Sequence, residues 1–160
     1  MVAIPNHDGL AGLFRNVTES MLAMDCSIAN DASADPSQYH STAVLPIPGE
    51  GGFTLAVSSD LSGCTALSAA MFAVDTTEVD TEMINDTMAE LANMAAGQLK
   101  GQLQLPHALG LPINLLGADF AERPSSRNGE WSHFPLRAGK SPVLLSITTQ
   151  ASVAEEYVGS

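Results

Sequence analysis

The sequence predicts an α+β domain in which an antiparallel (mixed) sheet is flanked by an N-terminal helix and a long central helix. Three observations predict it. Helical periodicity appears near the N-terminus and again in mid-chain, extended runs come in pairs spaced as hairpins, and the mid-chain helix carries an apolar stripe that must bury against something. The strands are the available surface. The 160 residues are one domain's worth, taken as a single domain over 1–160. A chain of that size buries roughly 70% of its extended surface in a single core.

Leu10, Leu13, Phe14, Val17, Met21 and Leu22 recur at three- and four-residue spacing, which predicts a helix over 8–24. Residues 30–41, rich in Asp, Ala, Ser and Pro, read as a loop. Extended runs at 43–47 and 53–58 surround Pro48-Gly49-Glu50-Gly51-Gly52, the pattern of a hairpin. Pro46, which lacks an N–H, places the first run at a sheet edge. Ser58-Ser59-Asp60 supplies capping chemistry for a small-residue helix over 61–72. Thr77, followed by Glu78 and Asp80, reads as the cap of the long helix, which runs without a breaker to about 103 and must stop before Pro106. Beyond it, 111–120 reads as irregular or short strand, 123–130 as a loop, 131–136 with 143–149 as a second hairpin, and 154–160 as a frayed tail.

Composition excludes several functions. Apolar residues make up 45% of the chain and charged ones 15%, which excludes a disordered polyelectrolyte. The longest nearly apolar run, 65–74, is about half of the ~20 residues a membrane span needs, so no membrane insertion is expected. The N-terminus lacks the basic and apolar regions of a secretory signal, and the expected location is cytoplasmic. The net charge is -12, and through Leu99 Arg15 is the only Lys or Arg against 13 acids. Nucleic acid is a poor partner for such a surface, because phosphates are bound mainly by Lys and Arg. Cys26 and Cys64 have no Cys or His at zinc-ligand spacing and read as free thiols. His7, His40, His107 and His133 are scattered, so no metal site is expected. Gly139-Lys140-Ser141 ends like a phosphate loop but is followed by Pro142 where a helix should begin, so it reads as a turn. Trp131 reads as a core or interface anchor.

The faces of the long helix separate by chemistry. At 100° per residue, Ile84, Met88, Leu91, Ala92, Ala95, Leu99 and Gln102 share the stripe expected to be buried. Asp86, Glu90, Asn93 and Gly97 fall on the opposite side, with Met83 and Met94 beside them as adaptable apolar contacts. Asn is a poor mid-helix residue, and Gly costs about 1 kcal/mol there relative to Ala. Two such choices on one outward stripe suggest a surface used for close approach.

The segment Asp86-Thr-Met-Ala-Glu90-Leu-Ala-Asn93-Met-Ala-Ala-Gly97 resembles the signature helix of the CheC, CheX and FliY chemotaxis phosphatases. The N-terminal helix, the passage at 51–60 and the closing hairpin follow in the CheX order. Helix one has Glu19 with Leu22 three residues on, so only one motif is present and the resemblance is to the single-motif CheX type. The family's Pro after the helix is matched at best by Pro112, so the loop there departs from the pattern. The resemblance implies a CheC-like fold, a homodimer, and hydrolysis of the aspartyl phosphate of a CheY-like response regulator. It implies that Asn93 orients the attacking water, that Glu90 pairs with a Lys of the regulator, and that Asp86, Met94 and Gly97 contact it. No cofactor of the chain's own is implied; Mg²⁺ is expected on the regulator. The alternative is a non-catalytic module on the same fold that binds or scaffolds a receiver domain.

Overall fold

The computed structural model describes residues 4–158. The helices are α1 (His7–Leu22), α2 (Leu61–Phe72), α3 (Thr81–Gln102), α4 (Gly117–Glu122), α5 (Pro124–Asn128) and α6 (Ala151–Val158). The strands are β1 (Cys26–Ile28), β2 (Ser41–Ile47), β3 (Phe53–Ser59), β4 (Ile113–Leu116), β5 (Ser132–Ala138) and β6 (Ser141–Thr148). Every strand pairing is antiparallel, in the order β1-β5-β6-β3-β2-β4. Both expected hairpins are present, in the registers Ile47↔Phe53 and Ala138↔Ser141 at their closed ends.

One face of the sheet carries α1, α2 and α3. Leu13, Phe14 and Val17 of α1 and Met88, Leu91 and Leu99 of α3 join Leu45, Leu55, Val57 and Leu145 in the main core. Asn6 caps α1 by accepting from the N–H of Gly9 at 2.8 Å, and Ala23, with φ of 54°, ends the helix earlier than 24. Asp60 caps α2 through the N–H of Gly63 at 2.6 Å. A side chain at Gly63 would strike the Ser59 hydroxyl, which donates to the Pro142 carbonyl at 2.7 Å, so the glycine lets α2 close onto the sheet end.

The opposite face corrects three expectations. The 123–130 loop contains α5, and within 111–120 the short strand expected is β4 but the chain turns into α4 from Gly117 on. Residues 154–158 belong to α6, whose Val153, Ala154 and Tyr157 are buried against Val44, Ala56 and Phe120; residues 159–160 of the expected tail lie outside the described chain. This second layer explains why all seven positions of β2 and of β3 are buried, since both faces of those strands are covered. Trp131 is an anchor as expected: its ring meets Phe120 edge-on at 5.3 Å and its Nε1–H donates to the Ser125 carbonyl at 3.1 Å.

The strands correct two more. Pro46 does not mark a sheet edge, because β2 pairs with β3 on one side and, over Ser41–Val44, with β4 on the other. The proline's missing N–H costs nothing there, since β4 does not reach it, while its carbonyl accepts from the Gly110 N–H at 3.0 Å. β1 was not anticipated. Its three residues are too short to show alternation, and Arg15 fixes it by donating twice to the Cys26 carbonyl, at 3.0 and 2.8 Å.

If α6 is part of the core, Tyr157→Ala should lower the unfolding free energy by about 3 kcal/mol, as large-to-small changes at buried aromatics do. Urea denaturation followed by circular dichroism measures it; a change under about 0.5 kcal/mol would mean that the helix contributes nothing to the fold.

Candidate functional site

The site begins with the capping of α3. Thr77 is not its cap. Residues Thr76–Glu78 form a separate 3-10 turn, in which the Asp75 N–H donates to Glu78 Oε2 at 3.1 Å, and Asp80 caps α3 by accepting from the Met83 N–H at 2.9 Å. Glu82 in the first turn and Lys100 in the last both suit the helix dipole.

The stripe through Met88, Leu91, Ala92, Ala95 and Leu99 is fully buried, with Ile84 nearly so. Gln102 is the exception. It is exposed, because the helix runs past the core after Leu99 and Leu103 and Leu105 take over the packing. Thr87 and Ala96 are buried as well, beyond the expected stripe, since α3 touches α1 and α2 in addition to the sheet.

With that rotation set, Glu90, Asn93, Met94 and Gly97 are half-buried and Asp86 is exposed. The side chains of Glu90 and Asn93 make no hydrogen bond or ion pair among the described residues. Asn93, Met94 and Gly97 come together along an open groove of about 610 Å³, which continues past Gly101 and is bounded from outside the helix by Leu109. Glu90 stands one turn before Asn93, and Asp86 one turn earlier again, outside the groove lining. A Cβ built on Gly97 or Gly101 would meet nothing within 4 Å, so packing within the chain requires neither glycine.

Three residues of the groove, Gln98, Gly101 and Leu109, were not singled out from the sequence, and a fourth, Gln102, was expected on the buried stripe. Gly101 continues the four-residue spacing of Asn93 and Gly97 and was legible in principle. Leu109 carried no signal, because it reaches the groove only through the path of the loop over 103–112.

Other reactive groups are disposed differently. Burial pushes the Cys26 and Cys64 thiols up to about 11, which keeps them protonated and unreactive near neutral pH. Among the described residues no cluster of three or more His, Cys, Asp and Glu is arranged to hold a metal, and no helix is long and apolar enough to cross a membrane. His133 bonds the Ser146 hydroxyl at 2.7 Å and His7 the Pro135 carbonyl at 2.9 Å, both structural positions. Burial holds the His133 imidazole below its usual value.

The fold is that of the CheC-like proteins. The chain is similar to chemotaxis protein CheX from Vibrio vulnificus at 13% identity and a TM-score of 0.68, covering 92% of this chain and 98% of that one. It is similar to a chain of the CheX-CheY-BeF3-Mg complex from Borrelia burgdorferi at 14% identity and 0.67, covering 91% and 98%. A CheC-like superfamily protein from Shewanella sp. PV-4 matches at 14% and 0.63, covering 90% and 97%. The family model described as chemotaxis phosphatase CheX matches residues 42–134, more than half of the chain and all of the groove, and the protein belongs to that family. Comparison with curated protein sequences finds no match.

The geometry has a stability consequence. Gly97→Ala should raise the unfolding free energy by about 0.5 to 1 kcal/mol, because a methyl there meets open space and Ala is the better helix former. Asn93→Ala should change it by no more than about 0.5 kcal/mol. Thermal melts of the two variants test this; a large drop for either would show that the side chain or its absence holds the fold together.

Proposed function

We propose that the protein hydrolyses the aspartyl phosphate of a CheY-like response regulator at the Asn93 groove. The observation that carries the reading is a carboxamide with no partner of its own, on a rigid helix, beside a glycine that the chain's packing does not require. Membership of a chemotaxis phosphatase family and likeness to a CheX chain solved with CheY support the same reading.

An amide can accept a hydrogen bond from a water through Oδ1 and donate one through Nδ2. Asn93 would thereby hold the water in line with phosphorus, the water oxygen attacking as the bond to the aspartyl oxygen breaks. The products are the free carboxylate and inorganic phosphate. No general base is needed at Asn93, because positioning alone can lower a barrier by about 7 to 11 kcal/mol in favourable cases. Mg²⁺ on the regulator would supply charge stabilisation at the phosphoryl group. Glu90 would pair with a Lys of the regulator and orient the complex, while Asp86, Met94 and Gly97 contact it. Gly97 is small enough for the partner backbone to approach the helix closely.

The homodimer that the resemblance implies is proposed through β4, since the 43–47 run expected at a sheet edge is paired on both sides over part of its length. Of the two sheet edges, β1 and β4, the latter is the candidate, because its Ile-Asn-Leu-Leu carries no charge to discourage pairing, with Leu116 53% exposed on it and Leu111, just before it, 83% exposed. Two copies related by a two-fold axis would cover that edge. Sedimentation at micromolar concentration should give twice 16.6 kDa, and Leu116→Lys should shift the mass toward one chain; a single-chain mass for the unaltered protein removes the dimer.

For catalysis, Asn93→Ala should abolish phosphate release from phosphorylated receivers while binding to a beryllofluoride-loaded receiver persists. Glu90→Ala should lower release and also weaken binding, because it deletes an ion pair between the partners. Phosphate release and a binding titration on the same variants separate the two effects. Full activity in Asn93→Ala would remove the mechanism, and binding without release by the unaltered protein would leave a receiver-binding module.

A further inference from the structure

Of the residues that line the groove, all but one stand on α3; the exception is Leu109, from the loop over 103–112 that joins α3 to β4. The loop is pinned on either side of it. His107 Nε2–H donates to the Glu50 carbonyl at 2.6 Å, in the β2–β3 turn. The Gly110 N–H donates to the Pro46 carbonyl at 3.0 Å, and a Cβ at Gly110 would lie 2.4 Å from that same oxygen, so only glycine allows this approach. The His107 ring in turn packs where a Cβ on Gly49 would fall, 3.2 Å away, and Gly49 has a φ of 106° that favours glycine. Two attachments two and one residues from Leu109 thus fix the leucine relative to the sheet that also carries α3. It packs in part on the main core and is half-buried, lining both the α3 groove and a second cavity beside Pro46, Pro48 and Tyr157.

We infer that Leu109 is a receiver-contacting residue that sets which receiver fits the groove, and that His107 is the positioning residue that holds it there. The inference rests on the groove being the receiver's docking face. A groove bounded by one helix alone would accept any segment that fits beside Gly97. An apolar side chain fixed at the wall of the groove selects for an apolar group on the receiver surface that seats there and rejects a charged one, which would be desolvated without a partner.

The test compares Leu109→Ala, the volume-conserving Leu109→Met, His107→Ala and the hydrogen-bonding His107→Gln. Readouts are the dissociation constant for beryllofluoride-loaded receivers from a panel of CheY-like proteins, kcat for phosphate release, and the melting temperature. Measurements are made well below the lowest melting point, so that all variants are folded. The expected result is a dissociation constant about tenfold higher for Leu109→Ala, with kcat within twofold of the unaltered protein and a changed ranking across the panel. Leu109→Met should stay within threefold, and His107→Ala should weaken binding in the same direction, with His107→Gln closer to the unaltered protein. An unchanged dissociation constant and ranking in Leu109→Ala, even with a lower melting point, would assign the leucine to packing alone and overturn the inference. A fall in kcat with binding unchanged would overturn it too, since Leu109 would then act through the helix and not through contact. If the unaltered protein neither binds nor dephosphorylates any receiver, the reading of the groove itself fails, an outcome distinct from an active protein insensitive at Leu109.

Discussion

The rotation of α3 about its own axis is the constraint on which the site depends. Met88, Leu91, Ala95 and Leu99 are fully buried over the strands, and at 100° per residue a slip of one position would carry Asn93 toward the core and lift a leucine into water. Truncating one such leucine to alanine costs about 2 to 5 kcal/mol, whereas an unfavourable helix former on the outer side costs at most about 1 kcal/mol. The apolar stripe therefore outweighs the outward residues several-fold, and the helix tolerates Asn93, Gly97 and Gly101 without losing its seat.

A helix held only along one stripe could still rock on its support, and the second layer limits this. β2 and β3, which lie beneath α3, are buried at every position because α6 covers their far side. Tyr157 and Val153 press on Val44 and Ala56, and Arg123 lies over the Tyr157 ring at 5.4 Å. The strands are thus clamped between two layers, and the buried Thr42–Ser58 hydroxyl pair at 2.7 Å adds a cross-strand link on the α6 side. The loop that presents Leu109 ties into the same strand pair through Pro46 and Glu50, so both sides of the groove refer to one rigid base.

This division explains what the sequence revealed. Helices read well where an apolar stripe repeated over four or more turns, as in α1 and α3, and the hairpins read well because Gly and Pro punctuate them. The layer of α4, α5 and α6 was missed because its helices are five to eight residues long, too short for a periodicity to stand out. Its footprint on the sheet is disguised as well: Thr42, Thr54, Ser58 and Ser146 look like solvent-facing alternation but are buried. The outward position of Asn93, Met94 and Gly97 follows from helix phase and their proposed role from the family resemblance, whereas Leu109 depends on a loop whose course is decided by carbonyls far away in the chain. Thr77 was misread as a cap because a 3-10 turn and an α-helix begin within five residues of each other, and a capping pattern alone does not distinguish which start is the longer.

The charges around the groove are arranged so that attraction and chemistry are kept apart. Glu78, Asp80, Glu82 and Asp86 are exposed at and just before the N-terminal half of α3 and Glu90 stands half-buried one turn before Asn93, while the residues that line the groove itself include no carboxylate. On the proposed reading this separation is required. Carboxylates outside the groove favour encounter with a partner that offers basic groups, an effect that reaches about 8 to 10 Å through physiological salt. A carboxylate at position 93 would face a phosphoryl group of like charge across a desolvated contact, where repulsion is far stronger than in water. An amide keeps the acceptor and the donor that orient a water while carrying no charge. Asn at this position, despite its poor fit to a helix, is then the residue whose chemistry survives the approach of a phosphate.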